Sequence, residues 1–430
     1  MVDRLGRLEP PESVKEIVAR LERAGFETWC VGGAVRDALL GHPHLDWDFA
    51  TAATPAQVMG VFKRIVPVGV EFGTVGVFDS QGTMHEVTTF RRDVNTDGRH
   101  AVVEFGASLD DDLARRDFTV NAIAYHPTRD ELRDPYGGQL DLRRGLVRAV
   151  GTASERMRED RLRALRGIRF ASRFSFHIEP ETWAAIKASA PHMGRLSPER
   201  VKQELEKTME QVARPSNALE WWREAGFLRE LVPSIAAAPA ERFAALDFLP
   251  RAEGEQGKGE TLSRLAMLFF GEKEGAVSAA AKALRFSNAD TAWIASLAGS
   301  RAELGSAIDA ALRAGTPQAG EVRRWVARIG RMRTESFFVL NAALWRARLA
   351  VRADSAVEAR LDPLTRLAVE IAFRDPIEIA DLAVDGEDLQ QAGIRNGPQM
   401  GNVLRALLER VIDDPTMNTN ARLLELAKAL

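Results

Sequence analysis

The chain has 430 residues, of which 45% are hydrophobic and 28% charged, a composition typical of folded globular proteins and not of disordered or fibrous ones. This length predicts about two to four domains of ordinary size. Cys30 is the only cysteine, so the sequence excludes an intramolecular disulfide and a cysteine-based zinc site.

The first predicted elements form a mixed α/β region. Residues 12–24 place apolar side chains on one helical face, and Gly25 ends that helix. Short runs bounded by turn residues predict strands at 27–31, 47–50, 64–68, 74–78 and 84–90. After about Gly151, Ala, Leu, Arg and Glu at helical spacing dominate. The sequence therefore predicts an α+β fold, with a small mixed β-sheet near the N-terminus and an all-α remainder.

No segment predicts attachment to a membrane. No uninterrupted apolar run reaches the roughly 18 residues that span a bilayer. Residues 1–15 carry charges where a signal peptide has an apolar core. We therefore expect a cytoplasmic protein, and the sequence indicates no obligate protein partner.

Two adjacent glycines, Gly32 and Gly33, directly follow the first predicted strand and open a helix that carries Arg36 and Asp37. Such glycines let backbone N–H groups approach a phosphate closely, and the N-terminus of the helix adds positive potential. By itself, a glycine pair between a strand and a helix more often marks only the geometry of a turn.

The carboxylates Asp46 and Asp48 follow Gly33 by 13 and 15 residues. Side chains two apart in a strand project from the same face, so both carboxylates can share hard divalent cations such as Mg²⁺. Glu86 supplies a third carboxylate if its strand lies beside the first. The glycine pair and the spaced carboxylates on consecutive elements together predict a metal-dependent catalytic site.

These features resemble the nucleotidyltransferase superfamily that contains bacterial poly(A) polymerases and the class II CCA-adding enzymes, and later motifs agree in order. They are Arg115-Arg116-Asp117-Phe118-Thr119-Val120-Asn121-Ala122, then Asp134-Pro135-Tyr136-Gly137-Gly138 with Asp141, then the helix from Glu159 to Phe170, then Glu199-Arg200 with Glu204. Together they cover about the first half of the chain.

The resemblance implies a tRNA nucleotidyltransferase that adds CCA to the 3′ end of tRNA from CTP and ATP without a nucleic-acid template. The RNA 3′-OH would attack the α-phosphate in line, with two Mg²⁺ ions as cofactors and pyrophosphate as the leaving group. Asp46 and Asp48 would bridge both metals, and Glu86 would assist as a further carboxylate.

The resemblance also implies a set of nucleotide contacts. Triphosphate contacts fall to Arg36, Arg166 and Arg169. The ribose contacts include Asp117, Asn121 and either Arg115 or Arg116, and a hydrogen bond to the 2′-OH there distinguishes ribonucleotides. The full predicted nucleotide-binding set is Gly32, Gly33, Arg36, Asp37, Arg115, Arg116, Asp117, Asn121, Asp160, Arg163, Arg166 and Arg169.

Recognition of the base follows from chemistry on one helical face. Asp160, Arg163 and Arg166 would lie within an arc of roughly 120° on a helix. A carboxylate accepts from the exocyclic amino group of C or A, and a guanidinium donates to the neighbouring ring nitrogen. U and G would leave buried charges unpaired, at a cost of several kcal/mol. The other interpretation is a solvated arginine-rich helix, and the upstream motifs favour base recognition.

Three alternative functions remain at this stage: a poly(A) polymerase, an enzyme that adds only C or only A, and a catalytically inactive RNA-binding protein. Arg91 to Val103, which contains Asp97-Gly98-Arg99, resembles the flexible loop needed to switch to ATP. Val68 to Val75 resembles the CCA-adding type rather than poly(A) polymerase. The intact carboxylates of the site argue against an inactive protein.

The resemblance implies a division of the chain into a catalytic head at 1–150, a base-recognising neck at 151–215, a body at 216–315 and a tRNA-binding tail at 316–430. The net charge is −3, but Arg323 to Arg352 holds eight arginines against one acid, Glu335, a net +7. We expect Arg324, Arg328 and Arg331 to contact tRNA. An exposed arginine-rich surface without that role is the other interpretation.

Overall fold

A computed structural model describes residues 5–42, 47–96, 101–251, 257–394 and 396–429. The chain divides into two compact units, one formed by Met1–Glu204 and Trp221–Leu231, the other by Leu205–Glu220 and Val232–Leu430. None of the helices in the described ranges is both long enough and apolar enough to cross a membrane.

The N-terminal part of the first unit alternates short strands and helices. Its elements are α1 Glu12–Arg23, β1 Thr28–Val31, α2 Gly33–Leu39, β2 Asp48–Thr51, α3 Pro55–Val61, β3 Ile65–Gly69, β4 Thr74–Phe78, β5 Met84–Thr89, β6 Arg91–Thr96, β7 Ala101–Phe105, α4 Leu109–Ala114, β8 Ala124–His126, β9 Glu131–Arg133, α5 Gly138–Arg144 and β10 Leu146–Val147.

Seven of these strands form one mixed sheet in the order β3-β4-β5-β2-β1-β8-β9. β2 and β5 run parallel, and the other neighbours in this sheet pair antiparallel. Strands β6 and β7 form a separate antiparallel pair. The predicted α+β fold with a small mixed sheet is confirmed.

The predicted elements of this region match the structure closely, because apolar periodicity dictates which faces are buried. In α1, Val14, Ile17, Val18 and Leu21 are buried at the expected helical spacing. The five predicted strands correspond to β1 to β5, with ends that differ by at most one residue. The pattern did not predict β8, β9 and β10, which are each two or three residues long.

From residue 153 onward, helices dominate, as predicted. They are α6 Ala153–Glu159, α7 Leu162–Phe174, α8 Pro180–Ala188, α9 Pro198–Gln211, α10 Pro215–Glu224, α11 Phe227–Leu231, α12 Pro233–Ala236, α13 Ala240–Ala244, α14 Gly257–Leu268, α15 Glu274–Ala283, α16 Asn288–Ala314, α17 Ala319–Ile329, α18 Thr334–Val351, α19 Ser355–Arg374, α20 Gly386–Gln391, α21 Pro398–Asp413 and α22 Asn420–Ala427. One short strand, β11 His177–Ile178, departs from that prediction and pairs in parallel with β10.

Asp134 and Gly138 dock α5 against the segment that carries Asn121. The Asp134 Oδ1 accepts from the Gly138 backbone N–H at 2.7 Å. A Cβ added at Gly138 would lie 2.2 Å from the carbonyl oxygen of Thr119, so this close approach requires glycine. The Asp-Pro-Tyr-Gly-Gly motif therefore supports the site through packing.

The second unit buries charge as well as apolar surface. Asp309 of α16 accepts from Arg301 at 2.7 Å, from the Trp345 indole at 2.9 Å and from Arg348 at 2.9 Å. Burial would raise the pKa of Asp309, but the hydrogen bonds and charges of the two arginines lower it. A buried carboxylate needs all of these partners to remain charged. Arg348, one of the eight arginines of the basic segment, therefore stabilises the helical core.

Candidate active site

The Gly32-Gly33 turn brings the backbone against two guanidinium groups. Gly32 has φ 75°, a left-handed conformation that favours glycine. A Cβ at Gly32 would lie 2.9 Å from Arg116 Nη1, and one at Gly33 would lie 3.5 Å from Arg36 Nη2. The turn therefore lets two cations approach the start of α2.

Arg36 and Asp37 lie behind this turn in a buried network. Arg36 donates from Nε to Asp37 Oδ1 at 2.7 Å and from Nη1 to Asn121 Oδ1 at 2.5 Å. Its guanidinium also lies 4.8 Å from the ring centroid of Phe170. Asp37 accepts a second bond from Arg173 at 3.0 Å. Burial lowers the pKa of Arg36, and the neighbouring Asp37 offsets part of that effect. The structure therefore places both side chains in the scaffold of the site, where they bind one another.

Asp112 of α4 clamps both predicted ribose-binding arginines. It is 1% exposed. Its Oδ1 accepts from Arg115 Nε at 2.9 Å and Nη2 at 2.8 Å, while its Oδ2 accepts from Arg116 Nη2 at 3.0 Å. Burial would raise the pKa of Asp112, and the charges of Arg116 and Arg115 overcome that effect and lower it. Asp112 is absent from the predicted site residues, although a carboxylate three and four positions before two arginines at a helix end is a usable signal.

Asp117 joins the arginine segment to α7. It is buried, and it accepts from Asn121 Nδ2 at 2.8 Å, from the Phe118 backbone N–H at 2.9 Å and from Arg166 Nε at 2.7 Å. Burial would raise the pKa of Asp117, but the charge of Arg166 and the hydrogen bonds from Asn121 and Arg166 lower it to about 2. Asp117 therefore remains ionised and fully bonded.

Gly167 fixes how closely this segment approaches the helix. A Cβ at Gly167 would lie 2.8 Å from Cζ of Phe118. Phe118 is buried and also contacts Phe170 edge to face, with 6.0 Å between the ring centroids. Because Gly167 has no side chain, the Phe118 ring can pack closely against α7. This packing brings Asp117 to Arg166, the residue directly before Gly167.

Asp160 does not lie on the same helix as Arg163, and here the predicted arc is wrong. Its backbone is extended, with φ −148° and ψ 108°, between α6 and α7. The Asp160 Oδ1 accepts from the Leu162 backbone N–H at 3.0 Å, while Oδ2 accepts from Arg200 at 2.7 Å. Aspartate competes for the unsatisfied N–H groups at a helix start, so it caps α7.

The arginines of α7 each have a bonding partner. Arg163 donates to Glu159 at 2.6 Å and to the Arg115 carbonyl at 2.9 Å. Arg169 is buried and donates to Glu204 Oε2 at 2.8 Å. Burial lowers the pKa of Arg169, and Glu204 offsets part of that effect. Among Arg163, Arg166 and Arg169, Arg166 differs in two respects. Its partner is buried, and its own side chain is 33% exposed to solvent.

Asp48 and Glu86 lie side by side on one face of the sheet. In the parallel pair β2–β5, Phe49 is the partner of Val87, so the residues before them, Asp48 and Glu86, occupy neighbouring positions roughly 4.8 Å apart across the strands. Both are exposed, whereas Phe49, His85 and Val87 are buried on the opposite face. The condition set for Glu86, that its strand lies beside the strand of Asp48, is met.

Asp46 lies outside the described residues, so the predicted pair Asp46 and Asp48 is not seen together. Within the described ranges, no group of three His, Cys, Asp or Glu side chains is arranged to hold a metal ion. Asp48 and Glu86 are nevertheless exposed oxygen donors on one face, the donor type that Mg²⁺ requires. The described residues therefore fit part of a magnesium site.

The segment predicted as a flexible loop is partly described. Arg91–Thr96 and Ala101–Phe105 pair as the strands β6 and β7. Arg92 and Glu104 form an exposed ion pair across them at 2.7 Å. Asp97, Gly98 and Arg99, on which the prediction rested, lie outside the described residues.

The basic segment is largely neutralised by acids from other parts of the second unit. Arg324 contacts Asp413 at 2.8 Å, and Arg328 forms a close ion pair with Glu303; the two arginine side chains are 53% and 66% exposed. Arg331 is only 21% exposed and contacts Asp381 at 2.6 Å. It also donates to the Ala372 carbonyl. Arg324 and Arg328 therefore remain accessible, whereas Arg331 stabilises the fold.

Comparison with known proteins identifies three matching family models. They are the poly A polymerase head domain over residues 28–148, the Probable RNA and SrmB-binding site of polymerase A over 175–238, and tRNA nucleotidyltransferase domain 2 over 324–427.

Relatives resemble the chain over its length. A CCA-adding enzyme of Latilactobacillus sakei is 33% identical over 96% of each chain. One of Geobacillus kaustophilus is 45% identical over 47% of this chain and 50% of its own. Among solved structures, the Bacillus stearothermophilus CCA-adding enzyme in complex with CTP is 29% identical, covers 98% of both chains and gives a TM-score of 0.76.

The ionised Asp117 makes a pH-dependent contribution to stability. Its pKa of about 2 lies below the ordinary 3.8, so its stabilising effect is present above the ordinary pKa and is lost as pH falls towards 2. We expect wild type to exceed Asp117→Asn in free energy of unfolding by a constant amount from pH 7 to 5. At pH 3 that excess should be about 1 kcal/mol smaller. Urea denaturation at each pH measures this difference in the free energy of unfolding. A difference that is equal at pH 3 and pH 7 would contradict the lowered pKa of Asp117.

Proposed function

Because the chain belongs to the family of CCA-adding enzymes, we propose that it adds C, C and A to the 3′ end of tRNA from CTP and ATP and releases pyrophosphate. The observation that carries this proposal is the similarity to a CCA-adding enzyme across 96% of both chains. The exposed carboxylates Asp48 and Glu86, which face the same way on adjacent strands, support catalysis in the head.

The proposed division of work places chemistry at residues 1–150, base recognition at 151–215, a helical body at 216–315 and tRNA contact at 316–430. Asp48 and Glu86, with Asp46, would hold two Mg²⁺ ions. When bound, these ions neutralise charge on the triphosphate and make the RNA 3′-OH a better nucleophile.

Arg116 is the proposed ribose contact nearest the glycine turn. Its Nη2 is held by Asp112, and its Nη1 lies beside Gly32. Its Nε has no hydrogen-bond partner among the described residues. An oxygen of the bound nucleotide would satisfy that donor. We therefore assign the nucleotide contact to Arg116 rather than to Arg115, which is held by the same Asp112 carboxylate.

Ribose and base contacts follow from the same network. Asn121 bonds both Arg36 and Asp117, so its amide is oriented before a nucleotide arrives. We assign it with Asp117 to the ribose.

Asp160 and Arg163 are the proposed acceptor and donor for C and A. To accept from the base amino group, Asp160 must first break its ion pair with Arg200. Because that ion pair is partly exposed, breaking it costs little free energy.

Primer extension tests the proposed function directly. The substrate is tRNA that ends before CCA, incubated with Mg²⁺ and CTP, ATP or both, and the products are sequenced. The proposal predicts addition limited to C, C and A. A poly(A) tail would identify a poly(A) polymerase. Addition of C alone, or addition of A alone to a tRNA that already ends in CC, would identify a partial enzyme, and binding without extension of either substrate would identify an inactive RNA-binding protein.

Asp48→Ala is expected to lower kcat for both nucleotides below about 1% of wild type, because a metal ligand serves the chemistry. Affinity for tRNA should change less than twofold, since phosphate contacts supply it. Glu181→Gln, at an exposed carboxylate of α8, is the matched control. Turnover of Asp48→Ala well above this level would remove Asp48 from the site.

Asp160→Ala is expected to relax base selection. The ratio of kcat/KM for CTP over UTP should fall by about tenfold to a hundredfold, as when a paired polar site is dismantled. Arg163→Ala should act in the same direction. Arg200→Ala is the control, because it removes the partner of Asp160 and leaves the carboxylate. Competition between nucleotides measures the ratio, and equal loss for all four would make Asp160 only a helix cap.

The tail proposal is tested through Arg324 and Arg328, with Arg331 left intact because it stabilises the fold. Replacing both by Gln should weaken tRNA binding and reduce the salt slope by roughly 0.9 for each phosphate that is no longer neutralised. Asp413→Asn with Glu303→Gln frees the same arginines and should strengthen binding. If both pairs of variants bind like wild type, these arginines form only a solvated surface.

A further inference from the structure

A buried histidine contacts the residue that separates the two proposed metal ligands. Trp47 lies between Asp46 and Asp48 in the sequence. Its backbone N–H lies 3.3 Å from Nδ1 of His85, and its carbonyl oxygen lies 3.2 Å from the same atom. His85 is 2% exposed. The imidazole therefore contacts one peptide unit on either side of the Trp47 Cα.

His85 is itself held in place from two directions. Its Nε2 lies 3.4 Å from Oδ2 of Asp79, while Oδ1 of Asp79 accepts backbone N–H groups of Gln81 at 2.9 Å and Thr83 at 2.8 Å. The Phe49 ring meets the imidazole edge to face, with 5.9 Å between the centroids. The ring orientation is thus determined by a turn outside the catalytic face.

Hydrogen-bond chemistry gives this contact a direction. An ionised carboxylate only accepts, so Nε2 carries the proton towards Asp79, and in the neutral ring Nδ1 accepts from the Trp47 N–H. A doubly protonated ring would donate from Nδ1 to the Trp47 carbonyl instead. In either state the imidazole bonds the same residue.

We propose that Asp79 and His85 are positioning residues that hold the Trp47 backbone and thereby orient the proposed metal ligands next to Trp47 and His85 in the chain, Asp48 and Glu86. The inference rests on the proposed function for the identity of those ligands. His85 also precedes Glu86 in β5, so one buried ring is tied to the backbone beside both Asp48 and Glu86. Support of this kind is a recurring requirement of metal sites, because small displacements of the donors weaken binding.

Two substitutions at His85 distinguish its hydrogen bond to Trp47 from the mere filling of space by its ring. In His85→Asn, the amide atoms fall near the place of Nδ1 and can still bond Trp47. In His85→Gln, they fall near Nε2, so the side chain still reaches Asp79 and no longer bonds Trp47. His126→Gln is the matched control, because His126 is also buried in the sheet, on β8, and bonds a carboxylate, Glu22, at 2.7 Å.

The measurement is binding of Mn²⁺ in the presence of CTP, followed by electron paramagnetic resonance, beside the Mg²⁺ dependence of kcat. We expect His85→Gln to weaken Mn²⁺ binding and to raise the half-saturating Mg²⁺ concentration by about 10- to 100-fold. The KM for CTP should change less than threefold. His85→Asn should recover most of the affinity, and His126→Gln should leave the metal affinity unchanged.

Equal metal affinity in His85→Gln and wild type, or equal reductions in His85→Gln and His126→Gln, would overturn the proposal. Asp79→Asn, which keeps the side-chain shape, provides a second route and should shift the Mg²⁺ requirement in the same direction. If wild type binds Mn²⁺ but adds no nucleotide, the proposed function fails while the comparison of metal affinities still decides this inference.

Discussion

The candidate site depends on one ion pair, that between the buried Asp117 and the partly exposed Arg166. A buried carboxylate is costly unless every lone pair finds a donor. Asp117 meets that requirement with three donors, from Arg166, Asn121 and the Phe118 backbone. Because these donors come from the segment around residue 120 and from α7, the ion pair fixes the head residues against the helix that follows.

The same construction recurs around it. Asp112 holds Arg115 and Arg116, and Asp37 holds Arg36. Buried pairs of this kind orient side chains at little further entropic cost, so the groups that would meet a ligand are already positioned. Those groups include the Nε of Arg116, the partly exposed Arg166, and the exposed carboxylates Asp48 and Glu86. Arg166 therefore belongs both to the scaffold, through Asp117, and to the proposed ligand contacts.

Sequence reasoning predicts well the elements that have local signals. Apolar periodicity locates α1 and the first five strands. The pairing that places Asp48 beside Glu86 is long-range, and the local pattern does not decide it. Asp160 is misplaced by the same reasoning, because helical spacing alone does not reveal that an aspartate will cap the helix and stay extended.

Long-range partners explain the remaining differences. The net +7 of the basic segment suggests a free cationic surface, but Asp413 and Glu303 neutralise Arg324 and Arg328 from distant positions in the sequence. Asp112 differs from these, because its partners Arg115 and Arg116 are local, and the run of three aspartates that contains it usually marks a solvated helix start. A count of charges along a sequence cannot detect such pairings.

A double-mutant cycle on CTP affinity tests the network most directly, with Asp117→Asn, Arg166→Gln and the double variant measured by calorimetry. If the two residues act as one unit, each single variant binds CTP less tightly than wild type. The double variant then binds CTP at least as tightly as the single variant with the lower affinity. Effects that add in the double variant, or single variants that bind CTP like wild type, would contradict the account.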